Sequence, residues 1–149
     1  MNFDYIFNNT KLYNDFLINL NSYKQELENL INIRENNLIE IKNDIESLKL
    51  LATDKEVDKA TKLYNEKVQL LMKDIEAINN NMSLNLDNNQ NILKKNIVQI
   101  SQKIAEENSI ELILDQNQYF ISSSKIDISD TIIKILNDRV MTFKLDKIK

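Results

Sequence analysis

The chain has 149 residues, the size of one domain, and contains no Gly, Pro, Cys, His or Trp. Without Gly there can be no Walker loop, dinucleotide fingerprint or nucleophile elbow, because each needs Gly where the backbone turns sharply or touches a ligand. Without Cys and His there is no ordinary zinc, haem or iron–sulfur site and no Cys–His or Ser–His nucleophile. No catalytic, cofactor-binding or metal-binding residue is therefore expected. The net charge of −4, with no basic stripe, argues against nucleic acid as a partner. No run of about 20 apolar residues could span a bilayer. The N-terminal residues lack the basic and apolar regions of a signal peptide, so the protein is cytosolic or its signal has been removed.

From Phe16 onward the apolar positions read Phe16, Leu20, Tyr23, Leu27, Leu30, then Arg34, then Leu38, Ile41, Ile45 and Leu48. Steps of three and four make a coiled-coil seam, and the two successive fours around Arg34 make a stutter that locally unwinds the supercoil. The spacing predicts a helix from about Thr10 to Leu50. Thr53 followed by Glu56 has the form of a capping box, which places a helix start there and the tip of an antiparallel helical hairpin at about residues 51–54. A second seam follows: Ala60, Tyr64, Val68, Leu71, Ile75, Ile78, Met82, Leu86, Asn89, Leu93, Ile97, Ile100 and Ile104. Such stripes are core first, here burying each other along the hairpin. Asn89, polar at a seam position, reads as a device that disfavours slipped pairings.

An isolated helical hairpin has little core, and Ile18, Ile31, Ile33, Ile39, Leu50, Leu51, Leu63, Leu70 and Ile92 fall beside the seams. Some apolar surface is expected to stay exposed on the arms, and such surface usually marks an interaction site. Leu50, Leu51 and Val57, near the tip, are the candidate contacts for an apolar partner.

The stretch "IELILDQNQYFIS", residues 110–122, alternates apolar and polar residues and predicts two short strands around a polar turn. Ile110, Leu112 and Leu114 share one face of the first strand, and Phe120 lies on the second. Two strands are marginal alone. The one further helix, "SDTIIKILN", with Ser129 or Asp127 as its N-cap, adds too little to complete a core. Oligomerisation is the expected remedy, with strands of several subunits forming one body. "DISD", residues 127–130, lacks the oxygen ligands of a calcium loop and reads as a helix cap. Glu106, Glu107 and Glu111 read as a solvated face. No role is assigned to the tail, residues 138–149.

Residues 104–137, "IAEENSIELILDQNQYFISSSKIDISDTIIKILN", resemble the C-terminal signature of the Skp/OmpH family of periplasmic chaperones: a helix end, a strand, a second short strand, then "DISD" opening a last helix. Residues 3–16, "FDYIFNNTKLYNDF", resemble that family's N-terminal segment, where a strand leads into the first helix; the family's strand extends upstream, so a shortened strand is expected here. The resemblance implies a mainly α fold with a small β part. Long antiparallel coiled-coil arms, residues 16–104, would rise from a short-stranded β body shared between three subunits, residues 1–15 and 105–137. It implies an ATP-independent holdase, a homotrimer in the periplasm with its signal removed, that binds unfolded outer-membrane proteins between the arms. No lipid site is carried over. Lys42, Lys49, Lys55, Lys59, Lys62, Lys67 and Lys73 are interleaved with acids and match no lipid motif of the family, which leaves contact with a membrane surface or lipopolysaccharide open. Prefoldin, the cytosolic rival, places its strands between its arms, whereas the strand pattern here follows both. A structural coiled-coil tether or scaffold explains the arms but not residues 110–122.

Overall fold

The structure is a computed structural model that describes residues 1–148; position 149 of the expected tail lies outside them. Four helices follow one another: α1 (Phe3–Asn9), α2 (Lys11–Leu48), α3 (Asp54–Asn108) and α4 (Ser129–Asp138). Short 3-10 turns occupy Gln116–Gln118 and Ser124–Ile126. The residues divide between two compact units. One holds Met1–Leu20 and Leu84–Asp146; the other holds Asn21–Ser83 and the described end of the chain.

The core of the first unit is a stripe of α3, Leu93, Ile97, Ile100 and Ile104. Ile6 of α1, Tyr13 and Phe16 of α2, and Ile132 and Leu136 of α4 complete it. The steps of four and three along α3 put these side chains on one face of the helix. The segment expected as a strand leading into the first helix is itself helical. Asn2 caps α1 by accepting the Tyr5 amide, and Thr10 breaks the helix in an extended conformation at φ −83°, ψ 110°. The Asn137 side chain then accepts the Lys11 amide at the start of α2, 2.9 Å away.

α3 ends without the glycine that usually closes a helix. Ser109 takes the left-handed conformation, φ 55°, and the Ile110 amide donates to the Ala105 carbonyl at 2.9 Å. This is a Schellman closure with Ser in the glycine position. It turns the chain out of the helix and into residues 110–115.

The hairpin expected at residues 110–122 is not formed within the chain: no strand occurs among the described residues. Residues 110–115 and 119–123 lie outside regular structure on either side of the Gln116–Gln118 turn, and the two flanks do not pair. The local pattern of alternation is present, but a strand also needs a neighbour for its N–H and C=O groups. The nearest approach is at Met1, whose nitrogen donates to the Leu114 carbonyl and whose carbonyl accepts the Gln116 amide. That is the bond pattern of two parallel strands, one residue long.

In the second unit α2 and α3 run antiparallel, with Arg34 ion-paired to Asp74 across them. The inward positions of α2 are Tyr23, Leu27, Ile31, Leu38, Ile41 and Ile45, while Leu30 is exposed. The stutter therefore falls two steps earlier than expected, centred on Leu27 and not on Arg34. Two fours run Tyr23–Leu27–Ile31, and Arg34 then sits inside a regular three–four repeat. The second seam faces inward as expected from Ala60 to Ile104.

At the start of α3 the capping box is half made. The Glu56 carboxylate accepts from the Thr53 amide and from the Thr53 hydroxyl. The hydroxyl therefore donates, instead of accepting the Glu56 amide. The N-cap of α4 is Ile128, not Ser129 or Asp127, although Asp127 accepts the Ser129 amide from one residue further out.

A left-handed conformation costs a non-glycine residue roughly 1–2 kcal/mol, offset in part by the greater chain entropy that glycine loses on folding. Ser109 is exposed and its side chain packs on nothing. Ser109→Gly is therefore expected to stabilise the first unit by about 0.5–1 kcal/mol, read as a higher urea midpoint with unchanged m-value.

Candidate functional site

No cleft with convergent polar groups stands out, and among the described residues no cluster of carboxylates could hold a metal ion. What the chain presents is apolar surface, in two places, and one polypeptide strap.

The first place is the turn between α2 and α3. Leu50 and Leu51 are 83% and 93% exposed. The backbone bonds of the turn run Leu50 to Ser47, Leu51 to Leu48 and Ala52 to Leu48, and neither leucine side chain is buried in it. Val57, the third residue expected there, is half-buried. Behind the turn, Ile33, Ile39, Leu63, Leu70 and Met72 are also exposed.

The second place is the segment after α3. Ile110 is partly buried against the core, but Leu112 is 70% and Phe120 98% exposed, and Leu114 is also on the surface. Ile110, Leu112, Ile113, Leu114, Tyr119 and Ile126 line an open cavity of about 750 Å³. Three of the four residues expected to take part in assembly, Ile110, Leu112 and Leu114, therefore border one hollow, while Phe120 is not part of its lining and is exposed to solvent.

The charges near this segment are structural. Asp127 accepts the Ser129 hydroxyl at 2.6 Å and the Ser129 amide at 3.0 Å, and these bonds hold its carboxyl below the ordinary carboxylate range. Ser129 Oγ in turn accepts the Asn2 amide at 2.7 Å. The chain thus ties its first residues to α4 through one hydroxyl. Tyr5 is raised, first by its hydrogen bond to Asp130 and then by that residue's charge. At the far turn, Glu56 is lowered by the Thr53 amide and hydroxyl.

The strap is the tail. From Met141 to Asp146 the chain lies against the first unit with Met141, Phe143 and Leu145 half-buried and Thr142, Lys144 and Asp146 exposed. Phe143 packs edge-on to Tyr13, with ring centroids 5.5 Å apart, and against Phe16. Asn89 donates to the Lys144 carbonyl (2.8 Å) and accepts its amide (3.1 Å). Asn85 does the same to Asp146, at 2.9 and 2.7 Å. Asn89, read from the sequence as a register device, holds the tail instead. The signal for this was the pair of Asn residues four apart inside an otherwise apolar face, which the general abundance of Asn masks. Further on, the Ile148 amide donates to the Tyr23 hydroxyl and Lys147 stands over the Tyr23 ring.

A family model described as "Outer membrane protein (OmpH-like)" matches residues 1–136. The match takes in all four helices except the last two residues of α4, and leaves the tail outside. No curated protein and no solved structure matched the chain.

Asp127→Ala is expected to lower stability by about 1 kcal/mol at pH 7, through loss of the hydrogen bonds that its carboxylate accepts from Ser129. Because the folded pKa is depressed, this contribution is present above the unfolded carboxylate pKa and is lost as pH falls through the folded value. Urea midpoints of parent and variant should accordingly converge as the pH falls below the ordinary carboxylate range. Leu51→Asp, at a side chain that packs on nothing, should shift the urea midpoint by less than about 0.5 kcal/mol.

Proposed function

The chain belongs to the OmpH-like family, known for periplasmic chaperones, and from that premise we propose that it is an ATP-independent holdase that keeps unfolded outer-membrane proteins from aggregating in the periplasm. The observation that carries this reading is the large exposed apolar surface around Leu50 and Leu51, on a helical turn whose fold does not use it. Each contact with an unfolded client is weak, at about 25 cal/mol per Å² of apolar area buried. Many weak contacts together hold a chain without fixing it in one pose. Release then needs no nucleotide: a client that folds into its membrane stops presenting apolar surface. No helix among the described residues is long and apolar enough to cross a membrane, in keeping with a protein that meets clients before they insert.

Assembly is the second half of the proposal. Residues 110–122 carry strand alternation without a strand partner, and the hollow beside them is lined by Ile110, Leu112 and Leu114. We infer that three subunits associate here as a homotrimer, with Ile110, Leu112, Leu114 and Phe120 at the interface. The segments gain on assembly the backbone partners they lack alone. In this arrangement residues 1–15 and 105–137 form the body and residues 16–104 the arms, with Leu50, Leu51 and Val57 available to the client. The same chemistry needs no catalytic group, cofactor or ATP.

Native mass spectrometry, with and without a urea-diluted outer-membrane β-barrel protein, tests both halves. The expected species are a trimer and a trimer carrying one client. Phe120→Asp should shift the parent toward monomer while circular dichroism stays helical. Leu51→Asp should leave the trimer intact and increase light scattering by the diluted client. A trimer that leaves client aggregation unchanged would favour a coiled-coil scaffold; a monomer that ignores the client would refute the holdase.

A further inference from the structure

The tail is held by its backbone. Asn89 and Asn85 each close a two-bond ring with the N–H and C=O of one tail residue, Lys144 and Asp146. The spacing explains why this works. In an extended chain, residues two apart present both polar groups to the same edge, about 6.6 Å apart at 3.3 Å per residue. On a helix, residues four apart on one face are separated by about 6.0 Å along the axis. Two buried carboxamides at that spacing can therefore read any extended backbone laid antiparallel to α3. All four of these bonds go to main-chain groups, and Lys144 and Asp146 are exposed.

The apolar half of the contact is equally general. Met141, Phe143 and Leu145 turn inward in alternation, with Phe143 set against Tyr13 and Phe16. This dyad pattern, apolar on one side and polar on the other, is that of a strand destined for a membrane β-barrel.

We propose that the face of α3 bearing Asn85 and Asn89, with Tyr13 and Phe16 beside it, is a binding site for extended polypeptide of alternating apolar pattern, and that residues 141–146 are a built-in occupant which such a segment displaces. The site rests on the holdase reading for the identity of its natural ligand, and it names the ligand's conformation and pattern. The amides supply contacts independent of sequence, and the aromatic pair selects for an apolar residue at every second position. The tail keeps the buried carboxamides hydrogen-bonded when no client is present, since an unsatisfied buried amide is costly. It also lowers apparent affinity by the fraction of time the site is covered.

The test uses the full chain and, as probe, a fluorescein-labelled nine-residue peptide alternating Leu or Phe with Ser or Thr. Lys144→Pro removes the amide that donates to Asn89 and frees the site without altering it. Fluorescence anisotropy should show the peptide binding about tenfold tighter than to the parent, the scale of one lost hydrogen-bonded competitor contact. Adding Asn85→Ala and Asn89→Ala should abolish the gain, and N-methylating alternate peptide amides should do the same. Phe143→Ser, a second way of loosening the tail, should give a gain in the same direction and serves if Lys144→Pro loses helicity. No gain in either folded release variant, or a gain that survives the two Asn substitutions, overturns the site. Light scattering of a diluted β-barrel protein with the parent chain is read separately. Suppressed aggregation with no peptide binding in any variant overturns the site and leaves the holdase standing. Peptide binding as expected with unsuppressed aggregation supports the site and removes the holdase.

Discussion

A chain with neither Gly nor Pro must start, stop and turn its helices with ordinary side chains, and much of this structure follows from that constraint. Helix breaks cannot be placed by backbone permissiveness, so they are placed by hydrogen bonds. Asn2 caps α1, Asn137 takes the first amide of α2, the Glu56 carboxylate reaches back to Thr53, and Asp127 holds Ser129. Where a left-handed residue is unavoidable, Ser109 accepts the strain. Between those points nothing interrupts the helices, and α3 runs for 55 residues. Several of the ties also cross long stretches of sequence. Asn2 meets Ser129 and Lys11 meets Asn137, so the ends of the first unit are fastened by two of the residues, Asn2 and Asn137, that also cap its helices.

The two units handle apolar surface differently. In the first, nine side chains from four helices close one core. In the second, two helices pack on each other, with the described end of the chain against Tyr23. A pair of helices can bury one stripe apiece, and residues beside the stripe remain in water, as Ile33, Ile39, Leu63 and Leu70 do. Two gaps of about 230 Å³ flank the Arg34–Asp74 pair, where a charged layer replaces the apolar contact that would otherwise draw the helices together. Stability and function pull against each other here: filling those gaps or covering those residues would firm the unit and remove what an apolar partner could touch.

The helices and their inward faces were legible because period and length are properties of consecutive residues. The seam from Ala60 to Ile104 faces inward at every position, and α4 lies where its apolar cluster put it. The stutter was misplaced by two steps because Leu30 and Ile31 are equally apolar neighbours, and only packing against the facing helix chooses Ile31. Residues 110–122 show a different limit. Alternation is written in the chain, but a ladder is a relation between two chains of backbone, and sequence period says nothing of where the second one comes from. Leu50 and Leu51 were legible as surface residues for the complementary reason, that no seam in the sequence accounts for them, and both are exposed.

The tail was the least legible part because its recognition is carried by the main chain, which every sequence has alike. A carboxamide at a seam position can serve as a register device, a buried network or a reader of backbone, and only the partner decides which. Asn85 and Asn89 resolve to the third because the residues they meet are extended, two apart, and bonded through N–H and C=O together. Such a contact combines firmness with indifference. It is firm because both polar groups of a buried backbone unit are satisfied at once. It is indifferent because its four bonds go to main-chain groups of the tail, so discrimination is left to the aromatic surface of Tyr13 and Phe16. In the proposed holdase role that division of labour has a use: apolar contact would report that a segment is unfolded, and backbone contact would hold it extended whatever its sequence.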